Sequence, residues 1–197
     1  MSKLETNTID TISGSNTLTL GDTNLTTVNM ASGVSPGTGM GKVLQVVSTT
    51  KTDVFSSTAG IDSPVAITNF SASITPTSTS SKILILINLA VGSSSNNHAA
   101  ATVFRDSTAI AVGDADGSRP RTSIPTGVIA STASWKVESG SFNFLDTPSS
   151  TSSLSYSVKI GGNGSSTIYV NRSSRDTNST TGDGRHASTI TLMEIAG

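Results

Sequence analysis

The chain has no cysteine, so disulfides, zinc–thiolate sites and thiol catalysis are excluded at the outset. Charge is scarce too. Asp, Glu, Lys and Arg make up 13% of the 197 residues, and the formal net charge is −1. Binding to a nucleic-acid backbone needs a surplus of Lys and Arg to displace counterions, so no nucleic-acid partner is expected. The same shortage excludes a polybasic membrane patch. No apolar run approaches the roughly 20 residues that span a bilayer, and membrane insertion is not expected. The opening "MSKLETNTID" lacks the apolar core of a signal peptide, so the expected starting compartment is the cytosol. Aromatics are 4% of the chain. The strong helix formers Lys, Glu and Leu are also thin.

What fills the space is hydroxyl. Ser and Thr make up roughly a third of the chain, and Gly is frequent. Low hydrophobicity of this kind suits a disordered chain. It also suits an all-β protein with hydroxyl-covered outer faces, since Thr fits strands and Ser fits turns. The apolar residues occur in short alternating packets, which selects the all-β reading.

Residues 1–30 differ from the rest. They set single apolar residues (Ile9, Ile12, Leu18, Leu20, Leu25, Val28, Met30) in a Thr/Asn/Gly background. Such pieces carry too little apolar surface to fold alone, but several copies wound around an axis can form a thin stalk. A flexible tail is the plainer reading. Residues 31–41, "ASGVSPGTGMG", form a Gly/Ser/Pro linker. From residue 42 to residue 197 the strand packets follow one another: "KVLQVVS", "DVFSS", "VAITNFSASITP", "KILILINLAV", "HAAATVFRDSTAIAV", "VIASTASWKV", "SFNFLD", "SLSYSVKI", "TIYVN" and "ASTITLMEI". The segment "VIASTASWKV" is expected to put Ala133, Trp135 and Val137 on one face. About ten strands at even spacing, with turn residues between them, predict an antiparallel jelly-roll β-sandwich.

Two of these strands are apolar on both faces. In one, Ile83, Ile85 and Ile87 alternate with Leu84 and Leu86. In the other, Ile190 and Leu192 alternate with Met193 and Ile195. A strand of a lone two-sheet sandwich has one wet face. A second apolar face needs a second cover, and a neighbouring subunit is the simplest one. Leu84, Leu86, Ile190, Leu192, Met193 and Ile195 are therefore the expected core and interface residues.

Chemistry is thinner. His98 and His186 both lie in polar, loop-like settings, and no nucleophile elbow is present. Serine is so abundant that a Ser/His/Asp grouping such as His186 with Asp183 arises by chance. Asp114 and Asp116 sit in "GDADGS", but Gly117 occupies an oxygen-ligand position and no glutamate closes the loop. No metal or other cofactor is expected. The arginines are more suggestive. Arg119, Arg121, Arg172, Arg175 and Arg185 lie in or beside two long polar loops, with Tyr169, Asp176 and Asp183 nearby in sequence. Such a set can bind the hydroxyls or carboxylates of a cell-surface polysaccharide. It can equally form Arg–Asp pairs that hold the loops together.

The segments "GKVLQVVSTTKTDVFSS", "ITPTSTSSKILILINLAV", "FRDSTAIAVGDADGSR", "FNFLDTPSSTSSLSYSVKI" and "YVNRSSRDTN…GRHASTITLMEI" resemble virion structural proteins of tailed bacteriophages, those of marine bacteria and cyanobacteria in particular. Together they cover nearly all of residues 41–197. The resemblance implies a homotrimeric, tumour-necrosis-factor-like jelly-roll knob on a thin N-terminal stalk, without catalytic residues. It implies assembly in the bacterial host and a place in the virion. Residues 1–30 would contact other virion proteins, and the knob would face host surface polysaccharide as part of a tail fibre. The same architecture also serves capsid decoration, with the N-terminal arm gripping the shell.

Overall fold

The computed structural model describes residues 42–94, 98–128, 134–163, 166–178, 180 and 182–197. The stalk expected at residues 1–30 and the linker at 31–41 lie outside the described residues.

Strand β4 (Lys82–Ser93) organises the first sheet. One of its edges pairs with β8 (Glu138–Asp146), from Ile83↔Asp146 to Val91↔Glu138. Its other edge pairs with β11 (Ser188–Ile195) and then with β10 (Ile168–Val170). Beyond these, β1 (Val43–Lys51) lies on β11 and β2 (Phe55–Ser57) lies on β10. The strand positions across the sheet are therefore β1/β2, β11/β10, β4 and β8. In the second sheet, β9 (Leu154–Gly162) pairs with β3 (Val65–Ile74) on one edge and β5 (His98–Arg105) on the other. The far edge of β5 carries β6 (Thr108–Ile110) and β7 (Ile124–Val128) in turn. The positions there are β3, β9, β5 and β6/β7. All these pairings are antiparallel, and the chain changes sheet as it passes from β2 to β3, β3 to β4, β4 to β5, β7 to β8, β8 to β9 and β9 to β10. This order of strands in two facing sheets is a jelly roll.

The alternation within each strand builds the core. From the first sheet, Ile83, Ile85, Leu89, Val91, Ile168, Val170, Ile190 and Leu192 point inward and are fully buried. From the second, Ile67, Phe70, Ile74, Tyr156, Val158, Ile160, Ala101 and Val103 meet them. In β3 the alternation skips once. Ile67 and Phe70 both face inward because Asn69 adopts φ 57° and the register slips between Ala66 and Ser71, a bulge. The β1 and β3 edges are closed by side chains: Thr49 Oγ1 donates to Ser71 O at 2.9 Å and Gln45 Nε2 to Thr75 O at 2.7 Å.

One expected strand is corrected. In "VIASTASWKV", residues 134 and 135 form a turn, Trp135 is 59% exposed and Ala133 lies outside the described residues. The turn at Ser134 and Trp135 breaks the period-two alternation before Val137. The chain instead forms β7 earlier, at Ile124–Val128, with Ile124 fully buried. Pro125 is compatible with that strand because β7 lies at the sheet edge.

Of the six expected core and interface residues, Ile190 and Leu192 lie in the core. Leu84, Leu86, Met193 and Ile195 point to the outer side of the first sheet, where they are half-buried or exposed.

Candidate functional site

Among the described residues, the connection from β10 to β11 holds a dense set of polar side chains. It begins at Asn171, which turns out of the sheet at φ 64° and is fully buried. Its amide Nδ2 donates to Lys51 O at 2.8 Å and to Asp53 O at 3.0 Å, and its Oδ1 accepts from Ser188 Oγ at 2.6 Å. Ser188 Oγ accepts from Ala90 N at 3.0 Å. One side chain thus fixes the β1–β2 break, the end of β4 and the start of β11. A buried amide is stable only when its donors and acceptor are used in this way.

Beyond Asn171 the loop is held by ion pairs. Asp176, at φ 50°, receives Arg172 Nη1 at 3.0 Å and Arg185 Nη2 at 2.9 Å on its two oxygens. The Arg172 guanidinium lies over the Tyr169 ring at 4.0 Å from its centre, a cation–π contact. Asp183, at φ 56°, accepts Arg175 Nε at 2.7 Å, Ser173 Oγ at 2.9 Å and Thr177 N at 3.1 Å. The Arg175 guanidinium, followed by the Ser173 and Thr177 donors, holds its carboxyl down to about 2. Arg175 N also donates to Ser134 O at 2.8 Å, tying the loop to the turn before β8. A polar hollow of about 180 Å³ remains, lined by Asp176, Thr177, Asn178, Asp183 and Arg185.

The structure therefore brings Tyr169, Arg172, Arg175, Asp176, Asp183 and Arg185 together. It places Arg119 and Arg121 elsewhere, in the β6–β7 connection, where each closes its own loop. Arg119 pairs with Asp116, and Arg121 Nε donates to Gly113 O at 2.6 Å. His186 lies in the β10–β11 loop, beside Gly184, but both Asp183 oxygens are committed to Ser173, Arg175 and Thr177.

His98 opens a different feature. At the start of β5 it lines a cleft of about 480 Å³ with Ile61, Asp62, Pro120, Gly162 and Asn163. One wall is the 59–61 segment, laid against the end of β9 through Gly162 N to Ala59 O at 2.8 Å and Ile61 N to Gly162 O at 3.0 Å. Among the described residues, no group of three or more His, Asp or Glu side chains is placed to hold a metal ion.

Sequence reasoning missed three polar constellations. One is Asn171 with its partners. The second joins the sheets: Arg105 Nη1 donates to both oxygens of Asp146, at 2.8 and 2.7 Å, and Tyr156 Oη donates to Asp146 Oδ2 at 2.7 Å. The third surrounds the buried carboxylate of Glu194. Residues far apart in the chain form each of them, so no local motif announces them.

No protein-family model matches this chain, and no curated protein does. Similar solved structures exist. The crystal structure of the infectious bursal disease virus VP2 subviral particle matches over 77% of this chain and 39% of that one, at 16% identity and a TM-score of 0.41. The structure of the Gx strain of the same virus matches over 77% and 40%, at 17% identity and a TM-score of 0.37. The chain thus spans about two fifths of the length of these proteins.

Proposed function

We propose that this protein is a non-enzymatic structural component of a tailed-phage virion, with the jelly roll as an exposed tail-fibre knob and residues 1–30 as its attachment segment. The observation that carries the reading is the state of the loop carboxylates. Asp176 is shared by Arg172 and Arg185, Asp183 is held by Arg175, and Asp116 pairs with Arg119. A hydrolytic site needs a carboxyl whose affinity for protons is raised towards neutrality. Asp183 is shifted the opposite way, to about 2. These groups hold loops in shape, as an exposed domain requires outside the cell. The loop surface they leave, with the Arg185 guanidinium and Asn178 at the polar hollow, offers hydrogen-bonding groups to a host polysaccharide. The hydroxyl-rich composition and the resemblance across residues 41–197 support the same reading.

The test is to locate the protein in purified particles by antibody-labelled electron microscopy. Label in low copy at the tail tip or fibres is the expected result. Dense label over the head, with weakened heads when the protein is missing, would replace the fibre reading by capsid decoration. Absence from particles would overturn the virion reading. Depolymerisation of host polysaccharide that is lost in Asp183→Ala would overturn the non-enzymatic one.

A further inference from the structure

Over β1, β11, β4 and β8, the outer side of the first sheet is built unlike a surface that meets water. Register places its outward side chains in rows across β1, β11, β4 and β8. One row is Val46, Met193, Leu84 and Leu145. The next is Ser48, Thr191, Leu86 and Asn143, and the third is Thr50, Thr189, Asn88 and Ser141. Ile195 and Lys82 stand at the apolar end. Val46 is 54% exposed, Leu145 46% and Leu86 36%. Lys82 is the one charge among these positions.

An antiparallel sheet with one wet face ordinarily carries charged side chains there, and covered protein surfaces are depleted of charge. The chemistry also limits what can cover this face. With no carboxylate and one lysine at its edge, these positions offer a cationic partner nothing to pair with and an anionic one a single ammonium. Every polar group in the three rows is a hydroxyl or a primary amide, and each of these both donates and accepts. Such a face can hydrogen-bond to a copy of itself, and its apolar row can bury a copy of itself.

Area points the same way. Four strands about 4.8 Å apart and four rows about 6.8 Å apart span about 500 Å². Two copies laid face to face bury about 1,000 Å² in total, the lower bound for a specific interface. The apolar end alone falls short of that, so the hydroxyl rows must take part.

We propose that this face is a self-complementary interface, covered by the same face of a second copy of the chain. The two faces stack as sheets do in a sandwich, about 10 Å apart and related by a two-fold axis. Val46, Met193, Leu84 and Leu145 form its apolar part, and the hydroxyl rows bond across it. The inference is independent of where the protein sits in a particle. It differs from the trimer that the family resemblance implies.

The experiment measures the mass of the full chain in solution by light scattering. Wild type should have twice the single-chain mass. The double variant Val46→Lys/Leu145→Lys changes two exposed side chains and should have the single-chain mass while keeping the β-sheet circular dichroism of the wild type, with a melting temperature lowered by the loss of its partner. Ser73→Lys, on the outer side of β3 in the other sheet, should remain at the double mass. As a second readout, Thr191→Cys near the centre of the face supplies the chain's sole thiol. A short bis-maleimide should join it to its counterpart, while Ser73→Cys should stay unlinked. The outcome of this second readout decides the matter if the lysine variant fails to fold. A wild type at single-chain mass would overturn the proposal, and so would a folded lysine variant that keeps the double mass. A three-chain mass abolished by the same lysines would keep the face in contact but overturn the two-fold pairing. None of these results bears on location in the virion, so the two readings fail separately.

Discussion

Glu194 points its carboxylate into the sandwich from a strand whose preceding inward residues, Ile190 and Leu192, are apolar. The alternation that places those two residues also places Glu194, so its direction was legible in the sequence. Its partners were not. Gln45 Nε2 donates at 2.6 Å, and Thr77 donates from its backbone N and its Oγ1, both at 2.7 Å. Burial alone would push this carboxyl up. The donors from Gln45 and Thr77 outweigh burial and hold it at about 2, against an ordinary value of 4.5. The folded state therefore prefers the charged form. That preference stabilises the fold fully above pH 4.5 and is lost as pH falls towards 2. Glu194→Gln should lower stability at neutral pH by about 2 kcal/mol, the scale of hydrogen bonds to a charged group. Denaturant titrations across the acid range should give a flatter pH dependence for the variant. An unchanged profile would mean that Glu194 is not the group that titrates. The polar loop was similarly half-legible. Arg172, Arg175, Asp176, Asp183 and Arg185 stand out by closeness in the chain, but which arginine meets which carboxylate depends on the positive φ at Asn171, Asp176 and Asp183. Nothing local marked Asn171, whose partners lie as far away as Lys51.

At the scale of elements, strands with strict alternation were readable because one face must be dry. β9 alternates Leu154, Tyr156, Val158 and Ile160 with half-exposed residues, and β4 and β11 carry equally plain patterns. β7 was hidden by Pro125 and Gly127, which read as turn residues until the strand is seen at an edge. The packets "KVLQVVS" and "DVFSS" were visible, but not that β1 and β2 occupy one strand position. The break is fixed by Asn171, over a hundred residues away in sequence. Close approach of backbone is another element-scale property that periodicity does not encode. A Cβ on Gly161 would stand 2.2 Å from Gly60 O and 2.6 Å from Gly60 C, because the 59–61 segment lies flat on the end of β9. Backbone cannot swing aside as a side-chain tip can. Gly161→Ala should therefore cost about 1–3 kcal/mol, the range for overpacking. Gly113→Ala, where nothing lies within 4 Å, should be near neutral. Paired thermal melts test the contrast, and equal melting temperatures would show that the 59–61 segment yields freely.

The whole molecule depends on how two sheets are kept in register across a core of aliphatic side chains, which pack without directional bonds. Direction comes from Thr49 and Gln45 at the β1–β3 edge and from the Arg105–Asp146–Tyr156 tie, where β5 and β9 of the second sheet meet the end of β8 in the first. Asp146 is 6% exposed and Tyr156 is fully buried, so neither can exchange its partner for water. Burial and the neighbouring Asp146 carboxylate both push the Tyr156 hydroxyl up, so it remains a donor throughout the physiological range. Tyr156→Phe removes one donor and should cost about 1.5–3 kcal/mol. Asp146→Ala leaves both Arg105 and the Tyr156 hydroxyl without their acceptor and should cost about 3–5 kcal/mol. The Arg105 side chain is 25% exposed, so water can reach its guanidinium and the loss should fall towards the lower end. If the three groups act as one unit, the Tyr156→Phe/Asp146→Ala double variant should lose clearly less than the sum of the single losses. Simple additivity in urea melts would mean that Tyr156 and Asp146 stabilise the sandwich independently and not as one tie.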